Sequence, residues 1–193
     1  FEPKLEFKHK ALGVQNETVL GFRYHSEKID RQKFMLTSLN GPIDEADERL
    51  AVDVDALSYY AQNTFLMGHW TLTPGVRVED VDLSKTLYAA DATDNKRFSA
   101  TGQTLNNNKS QTLPGLGFTW NGLEQTTLFG GIHRGFAPPR PDRDIGDSGL
   151  QKVDPELATV AEFGVRSSAL RGGTVEATLF NMNIDDIVIQ SGG

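Results

Sequence analysis

Three arginines in a proline-rich stretch are the strongest candidates for ligand binding in this sequence. Arg134, Arg140 and Arg143 lie in or beside the run APPRPDR, and His133 precedes the first of them. A guanidinium group presents a fork of N–H donors that matches a carboxylate, so the cluster suits an anionic ligand. Proline limits the freedom that a loop loses when it closes on a ligand. The alternative is that the arginines pair with nearby aspartates in a solvated loop: Asp142, Asp144 and Asp147.

Other residues that could do chemistry lack the spacing that a metal or catalytic site needs. The acidic run at 44–48 offers oxygen ligands but does not follow the pattern of a known calcium loop. The four histidines are scattered and form no HExxH-type pair. No GxSxG nucleophile elbow is present. We therefore expect no metal site, no cofactor and no enzymatic activity.

The overall composition excludes several further classes. The net charge is −7 over 193 residues, so no basic surface is available to neutralise the phosphates of a nucleic acid. The chain contains no cysteine, which excludes disulfides and thiolate metal sites. No run approaches the ~18–20 consecutive apolar residues of a membrane helix. A transmembrane β-barrel, in which only every second residue of a strand faces lipid, remains compatible with this composition.

The stretch Leu113–Pro139 shows the kind of element that would position these residues. Leu116, Phe118 and Trp120 alternate with small or polar residues, which predicts a strand with one apolar face. We place the turn at Asn121-Gly122, and the strand that follows stops at the two prolines that end the stretch. Similar alternation recurs along the chain and predicts about eight strands. Their approximate ranges are 3–10, 16–28, 52–67, 70–82, 113–120, 125–136, 156–168 and 174–190.

The connections between these strands alternate between short and long. The long ones are predicted at 29–51, 83–110 and 137–155, and all three are polar. Structureless loops of this length count against a compact soluble domain, but an up-and-down outer-membrane barrel has short turns on one side and long loops on the other. A soluble β-sandwich, with its apolar face against a second sheet, stays as the alternative.

A Gly-apolar-Arg triplet recurs in three of the predicted strands, at 21–23, 75–77 and 164–166. Side chains alternate in a strand, so glycine and arginine share one face and the apolar residue takes the other. An arginine on a lipid-facing surface at mid-membrane costs about 2–4 kcal/mol. We therefore predict that the charged residues of this face line an aqueous lumen: Arg23, Arg77, Glu79, Glu162 and Arg166.

Several segments resemble the TonB-dependent outer-membrane receptors, and within them the ferric citrate (ferric siderophore) receptor subfamily. The segments are WTLTPGVRVE at 70–79, LPGLG at 113–117, LFGGIHRGFAPP at 128–139, EFGVR at 162–166, VEATLF at 175–180 and DDI at 185–187. The resemblance covers the strands of most of the chain, while the long loops carry no recognisable motif.

The resemblance implies an all-β fold, an antiparallel up-and-down transmembrane barrel. Such receptors have about 22 strands, and residues 1–193 would be an internal segment of the C-terminal part of the barrel, without the plug domain. Alone, the segment would form a curved open sheet. The implied function is TonB-energised uptake of a ferric siderophore, with an anionic carboxylate chelate such as ferric citrate as the ligand. The implied location is the Gram-negative outer membrane, with its lipid and the TonB complex, reached through the plug region, as partners.

Two other functions remain open from the sequence. The chain could be a complete eight-stranded outer-membrane barrel with a structural or adhesive role. An outer-membrane barrel hydrolase is a third hypothesis, although no local sequence suggests its catalytic residues. The gene context separates the complete barrel from a receptor segment, because a reading frame that extends several hundred residues upstream into a plug would favour the receptor.

Overall fold

The computed structural model describes residues 1–138, 145–146, 149–150 and 154–185, and these form an all-β structure, as predicted. The strands are β1 (Lys4–Ala11), β2 (Val14–Leu36), β3 (Ile43–Met67), β4 (Trp70–Tyr88), β5 (Gln103–Leu123), β6 (Thr126–Ala137), β7 (Ile145–Gly146), β8 (Gly149–Leu150), β9 (Glu156–Ser167) and β10 (Val175–Asp185). Within the described residues, no helix is long and apolar enough to span a membrane.

Eight of these strands form one antiparallel sheet in which neighbours in sequence are neighbours in space. The order is β1-β2-β3-β4-β5-β6-β9-β10, while β7 and β8 form a separate pair. The predicted up-and-down order is therefore confirmed. In the part of the chain that the structure describes, β1 and β10 do not pair, so the sheet is open. A complete eight-stranded barrel would close through that pair, and the open order argues against it.

Two of the predicted long loops are wrong for most of their length, because the hairpins extend through them. The chain from β2 into β3 leaves the ladder only at 37–42, where residues 29–51 are predicted as loop. Likewise β4 and β5 leave only 89–102 of the predicted loop 83–110. The third predicted loop, 137–155, lies largely outside the described residues.

Paired charges join the two strands of the β2–β3 hairpin where a loop was predicted. Lys28 and Asp53 lie opposite each other on β2 and β3, with Nζ 2.7 Å from Oδ1. Arg31 pairs with Glu48, and Arg49 Nη2 lies 2.7 Å from Asp30 Oδ2. Cross-strand pairs of opposite charge stabilise a ladder, and Leu50, Val52 and Leu83, buried together in the same hairpins, add an apolar contact. Composition alone predicts a loop for such a segment, because it does not reveal which charges lie opposite each other. That pairing depends on the register between strands.

The turn between β5 and β6 also differs from the prediction. Asn121 and Gly122 lie inside β5, and the turn falls at Glu124 and Gln125, where Gln125 adopts a φ of 53°. The ladder has a register shift between Trp120 and Leu123, so the Asn-Gly pair occupies an irregularity rather than the turn. By contrast, the predicted tight connection at Gly68 and His69 is confirmed, with Gly68 at a φ of 63°.

Register places the residues of the sheet on two distinct faces. We call one the arginine face, because it carries Arg23, Arg77 and Arg166, and the other the apolar face. Side chains in register share a face, so the pairs Phe22–Tyr59, Leu72–Phe118 and Phe163–Leu179 all belong to the apolar face. Rings in contact along it include Phe22–Tyr59, Trp70–Trp120 and Phe118–Phe163.

The apolar face is uncovered by any described residue of the chain. Tyr59 and Phe163 are 50% and 51% exposed, and Leu116 is 43% exposed. Large side chains of this kind are normally buried in a water-soluble fold, and an apolar surface of this extent marks contact with a partner or a membrane. A β-sandwich would cover this face with a second sheet. The structure therefore rejects the sandwich within the described residues.

The buried apolar residues lie instead in the parts of β3 and β4 that are far from the tight turn at Gly68 and His69. Leu50, Val52 and Leu83 form a small core on the arginine face, with Val54 packed against it. Lys85 and Asn107 are buried on the same face. The segment 154–155 leads into β9 from this side, since Lys109 Nζ lies 2.5 Å from Asp154 Oδ1.

Candidate functional site

The predicted ligand-binding residues do not all lie together. His133 and Arg134 are consecutive in β6, so their side chains point to opposite faces of the sheet. His133 is in register with Gly115 and belongs to the arginine face, whereas Arg134 is in register with Thr159 and belongs to the apolar face. Arg140 and Arg143 lie outside the described residues. The ligand role of the four residues stays a prediction, but His133 and Arg134 cannot approach a ligand from the same side.

The five residues predicted to face the lumen share the arginine face. Arg77 is in register with Tyr60, and Tyr60 with Gly21, which places Arg77 on the same face as Arg23. Glu162 and Arg166 lie on β9, each two residues from Gly164, and therefore share its face. Glu162 is in register with Gly131 of β6, and Gly131 with Gly117 of β5, which lies on the same face as Gly75 of β4. That this face lines a lumen remains a prediction; that the residues share it is a property of the register.

At the centre of the arginine face, three side chains form a closed hydrogen-bond network. Arg77 donates to Glu79 through Nε and to Ser58 Oγ through Nη2 at 3.1 Å, and Ser58 in turn donates to Glu79. The Arg77 guanidinium also lies 6.0 Å from the centroid of the Tyr60 ring. Ser58 is buried and Arg77 is half-buried. The network holds both charges in fixed positions without exposing a lone cation.

The remaining charges of this face are more exposed. Arg166 Nε lies 2.7 Å from Glu176 Oε2, and Arg23 Nε lies 4.0 Å from Glu2 Oε2. Glu162 has no ion pair or hydrogen bond within the described part of the chain, and its register partners are Gly131 and Phe180. A carboxylate among glycine and an apolar side chain remains free to contact water or a ligand.

A shallow recess opens beside Glu162 on the arginine face. Its volume is about 290 Å³. Its floor is formed mainly by glycines of β4, β5 and β6, namely Gly75, Gly115, Gly117 and Gly131, and its polar rim by Gln62, Thr73, His133 and Glu162. Glycine lets another group approach the backbone closely. The recess brings His133 and Glu162, both predicted from sequence, into one site.

The glycines of the three Gly-apolar-Arg triplets serve two different purposes. At Gly21 a Cβ would overlap the ring of Tyr60, and at Gly164 it would overlap the ring of Phe129. In both strands the absence of a side chain makes room for an aromatic ring across the ladder. Gly75 is different, because a Cβ there would meet nothing closer than Ala61 O at 3.5 Å. Only this triplet leaves open space above its glycine, and that space belongs to the recess.

Sequence reasoning missed the recess, although part of its signal was present. The small residues Gly115 and Gly117 alternate with large apolar ones in β5, so one face of that strand carries no side chains at these two positions. The register that sets Gly75 beside Gly115, and Gly117 beside Gly131, cannot be read from the individual strands. The polar rim and glycine floor can hold a polar ligand through hydrogen bonds. No group of His, Asp or Glu in the described residues could hold a metal ion.

Comparison with known proteins supports this architecture. A family model described as "TonB dependent receptor-like, beta-barrel" matches residues 1–193. Comparison with curated protein sequences found no match. Several solved structures of outer-membrane receptors share the fold.

Three of these structures show the extent of the likeness. The ferric citrate transporter FecA, in its unliganded form, is 21% identical, with a TM-score of 0.73 over 95% of this chain and 26% of that one. The ferric-catecholate import receptor Fiu of E. coli K12 is 14% identical, with a TM-score of 0.73 over 95% of this chain and 30% of that one. The alcaligin receptor FauA of Bordetella pertussis is 19% identical, with a TM-score of 0.67 over 99% and 30%.

At these identities the likeness establishes the fold, and the chain spans less than a third of the solved structures it matches. The proteins of this family are transport receptors rather than enzymes. The uncovered apolar face, the open up-and-down sheet and the family match over residues 1–193 agree with one another. This chain belongs to the TonB-dependent receptor β-barrel family and is a segment of a barrel of the Gram-negative outer membrane.

Proposed function

We propose that the chain forms part of an outer-membrane receptor that takes up a ferric siderophore with energy delivered by the TonB complex. The observation that carries the proposal is the division of one sheet into an uncovered apolar face and a hydrogen-bonded charged face. A sheet of this kind can separate lipid from a polar pathway. The structures that it resembles include a ferric citrate transporter and a ferric-catecholate import receptor.

We further propose that the ligand is an anionic carboxylate chelate such as ferric citrate. The arginines that follow one another at 134, 140 and 143 in the sequence would supply guanidinium groups, and such groups match carboxylates bidentately. On the arginine face, the fixed Arg77 and the Gln62, Thr73 and His133 donors of the recess offer further contacts to a polar ligand. Contact with the TonB complex is assigned to a part of the protein outside residues 1–193.

The lumen assignment follows the same logic. Arg23, Arg77, Glu79, Glu162 and Arg166 share a face on which Arg23 pairs with Glu2, Arg77 with Glu79 in the same strand, and Arg166 with Glu176 across two strands. We propose that this face meets the water-filled interior and that the apolar face meets outer-membrane lipid. Both signs of charge on one face suit a wet interior, because the ions stay hydrated there and avoid the cost of desolvation.

The ligand proposal is tested by measuring ferric citrate binding to the full-length receptor with Arg134, Arg140 and Arg143 changed together to alanine. We expect at least a tenfold loss of affinity, since each charge-assisted hydrogen bond contributes about 1.5–3 kcal/mol. The matched control is Arg97→Ala, which removes an exposed arginine that pairs with Asp94 in the segment 89–102. Unchanged binding in the triple variant would remove the arginine segment from the ligand site.

A second comparison separates the two sides of the sheet. His133→Ala alters the rim of the recess, whereas Arg134→Ala alters the opposite face. If the ligand travels along the arginine face, His133→Ala should weaken binding or uptake more than Arg134→Ala. The reverse order would place the ligand contact at the end of β6 rather than along the face.

A further inference from the structure

Among the arginines in the strands of the sheet, Arg134 is the one that has no partner within the described residues. The others each lie within 4.0 Å of a carboxylate: Arg23, Arg31, Arg49, Arg77 and Arg166. Arg134 is exposed, and no carboxylate, ring or hydrogen-bond acceptor of the described chain engages its guanidinium group. A guanidinium group stays charged and carries five N–H donors, so this one is available to an acceptor from outside the described residues.

Register places Arg134 in a polar row that has apolar pairs on both sides. Arg134 lies opposite Thr159 of β9, and Thr159 lies opposite Asn183 of β10, all on the apolar face. The next pairs of this face along β6 and β9 are apolar in both directions: Ile132 with Ala161, and Phe136 with Leu157. A guanidinium, a hydroxyl and an amide group therefore lie side by side in otherwise apolar surroundings, and all three can donate a hydrogen bond.

The carboxylates of the neighbouring strands do not neutralise this cation. Both carboxylates of β9, Glu156 and Glu162, lie on the arginine face, on the other side of the sheet. Asp185 of β10 is on the apolar face, but it is in register with Leu157, so that β9 separates it from β6. Its Oδ1 atom accepts a hydrogen bond from Asn183 at 3.4 Å. The charge of Arg134 is thus unmatched within the described part of the sheet.

A cleft opens beside Arg134 where β5 and β6 stop pairing. Their ladder ends at Gly115 and His133, and the next residue of β5, Pro114, has no N–H to donate. The volume of the cleft is about 300 Å³. The residues of the apolar face that line it are Pro114, Leu116, Ile132, Arg134 and Thr159. The cleft therefore combines an apolar wall, which suits a hydrocarbon chain, with a cationic and hydroxyl-bearing edge, which suits an anion.

The position of Arg134 along β6 corresponds to the outer edge of a membrane. Arg134 lies nine residues after Gln125 of the tight turn, and short turns of outer-membrane barrels lie on the periplasmic side. Nine residues span about 30 Å of strand, or about 21–25 Å of height at the usual strand tilt. The apolar band of such barrels is about 25 Å tall. An arginine costs least at this edge, and its long stem lets the guanidinium group reach the lipid headgroups.

We propose that Arg134 and Thr159 bind the phosphate group of an outer-leaflet lipid. The guanidinium group donates two parallel hydrogen bonds to the phosphate, the Thr159 hydroxyl donates a third, and an acyl chain lies along the apolar wall of the cleft. This site rests on the proposed contact between the apolar face and lipid, and it adds a defined position for an anion. Arg140 and Arg143, rather than Arg134, would then carry the proposed contacts to the chelate.

The test measures lipid binding to the purified full-length receptor in a neutral detergent by native mass spectrometry. The probes are dioleoyl phosphatidic acid and dioleoylglycerol, which share their acyl chains and differ by the phosphate. We expect Arg134→Gln to weaken phosphatidic acid binding by about threefold or more and to leave dioleoylglycerol binding unchanged. Arg134→Lys, which keeps the charge without the fork of donors, should fall between. The matched control is Arg49→Gln on the same face, because Arg49 is already bonded to Asp30.

Equal affinity of the unchanged receptor and Arg134→Gln for phosphatidic acid would overturn the proposal. Competition by inorganic phosphate at millimolar concentration would overturn it as well, because the site would then take free phosphate rather than a lipid headgroup. If neither lipid bound to the receptor, the proposed lipid contact of the whole apolar face would fail too. The heat-dependent gel mobility of each variant verifies that the barrel has formed. No chelate is present, so the result is separate from the outcome of the ferric citrate experiment.

Discussion

The two faces of the sheet are built from the same strands yet follow opposite rules of packing. On the apolar face, large aromatic and aliphatic side chains such as Tyr59 and Phe163 stand exposed. On the arginine face, charged side chains such as Arg77 and Glu79 are held in hydrogen bonds and partly covered. A water-soluble protein shows the reverse arrangement, with apolar residues buried and charges exposed. The difference supports the proposal that the apolar face meets lipid rather than water.

The comparison also separates two sources of stability. If the apolar face meets lipid, as proposed, it gains stability from lipid as well as from ring contacts such as Trp70–Trp120, and a charge is costly there. The arginine face gains its stability from pairing across strands, so a charge is acceptable there if a partner is in register. Three experiments test this contrast, in order of the effect expected.

The largest effect should come from placing the same charge on each face of one strand pair. Phe163→Arg puts a guanidinium on the apolar face, where we expect a loss of about 2–4 kcal/mol in the free energy of unfolding. Phe180→Arg is the matched control, since Phe180 is in register with Glu162 on the arginine face and should cost under about 1 kcal/mol. Denaturant unfolding of the full-length receptor in lipid vesicles measures both. Equal losses would show that the faces share one environment.

A smaller effect should distinguish glycines that are packed from glycines that are open. A Cβ at Gly130, on the apolar face, would lie 2.8 Å from the Glu162 carbonyl oxygen and 2.8 Å from the Phe118 ring. Gly130→Ala should therefore destabilise the barrel by about 1–3 kcal/mol through overpacking. In the next row Gly117 meets nothing nearer than 4.0 Å, so Gly117→Ala should be almost neutral for stability.

Measuring ligand binding in the same two variants sharpens the contrast. The methyl group of Gly117→Ala would project over the floor of the recess, so reduced binding at unchanged stability would support a ligand there. If Gly117→Ala lowered the unfolding free energy as much as Gly130→Ala, the recess would not be open space.

The smallest effect concerns pH, and it should appear in the loop at the aqueous end of the sheet. The Asp91 carboxylate accepts hydrogen bonds from the Thr93 hydroxyl at 2.6 Å, the Thr93 N–H at 2.8 Å and the Asp94 N–H at 3.2 Å. The Thr93 side chain above all, then the two N–H groups, lower the pKa of Asp91. A lowered folded-state pKa stabilises the turn above the ordinary aspartate pKa, and this stabilisation is lost as pH falls through the folded value.

We therefore expect the turn at 91–94 to loosen only below about pH 4, without unfolding the strands. A pH titration of the Thr93 and Asp94 amide resonances by nuclear magnetic resonance measures this. Asp91→Asn is the control, because its side-chain oxygen still accepts hydrogen bonds but does not titrate. A similar acid transition in the asparagine variant would assign the change to another group.

Much of the fold could be predicted because its signal is local. Alternation along each strand correctly separated Leu116, Phe118 and Trp120 from the small residues between them, and the family resemblance matched the later comparison. The wrong predictions arose where a polar composition was taken as evidence for a loop. The segments 29–51 and 83–110 are mostly strand, and in the first of them ion pairs such as Arg49–Asp30 join the two strands of the hairpin. Likewise, Asn121-Gly122 resembles a turn but occupies an irregularity in β5.

The candidate site was predictable only in part, for a related reason. The sequence places His133 and Arg134 side by side, yet alternation sends them to opposite faces once both lie in β6. Glu162 was predicted as a charged residue of the arginine face, but its neighbours in the recess come from β3 to β6. Which glycine lies beside which depends on the register of four strands, and a shift of one residue would exchange the faces.

By itself, the sequence determined the all-β class, the two-faced strands, the anionic balance and the family. These depend on side-chain period and residue type, which every short segment carries independently of its neighbours. The tertiary structure alone decided the length of the hairpins, the register between the strands and the glycine-floored recess. Those features arise from hydrogen bonds between strands far apart in sequence, such as the rows that join Asn16 to Phe65 and Phe163 to Leu179, and no single strand contains them.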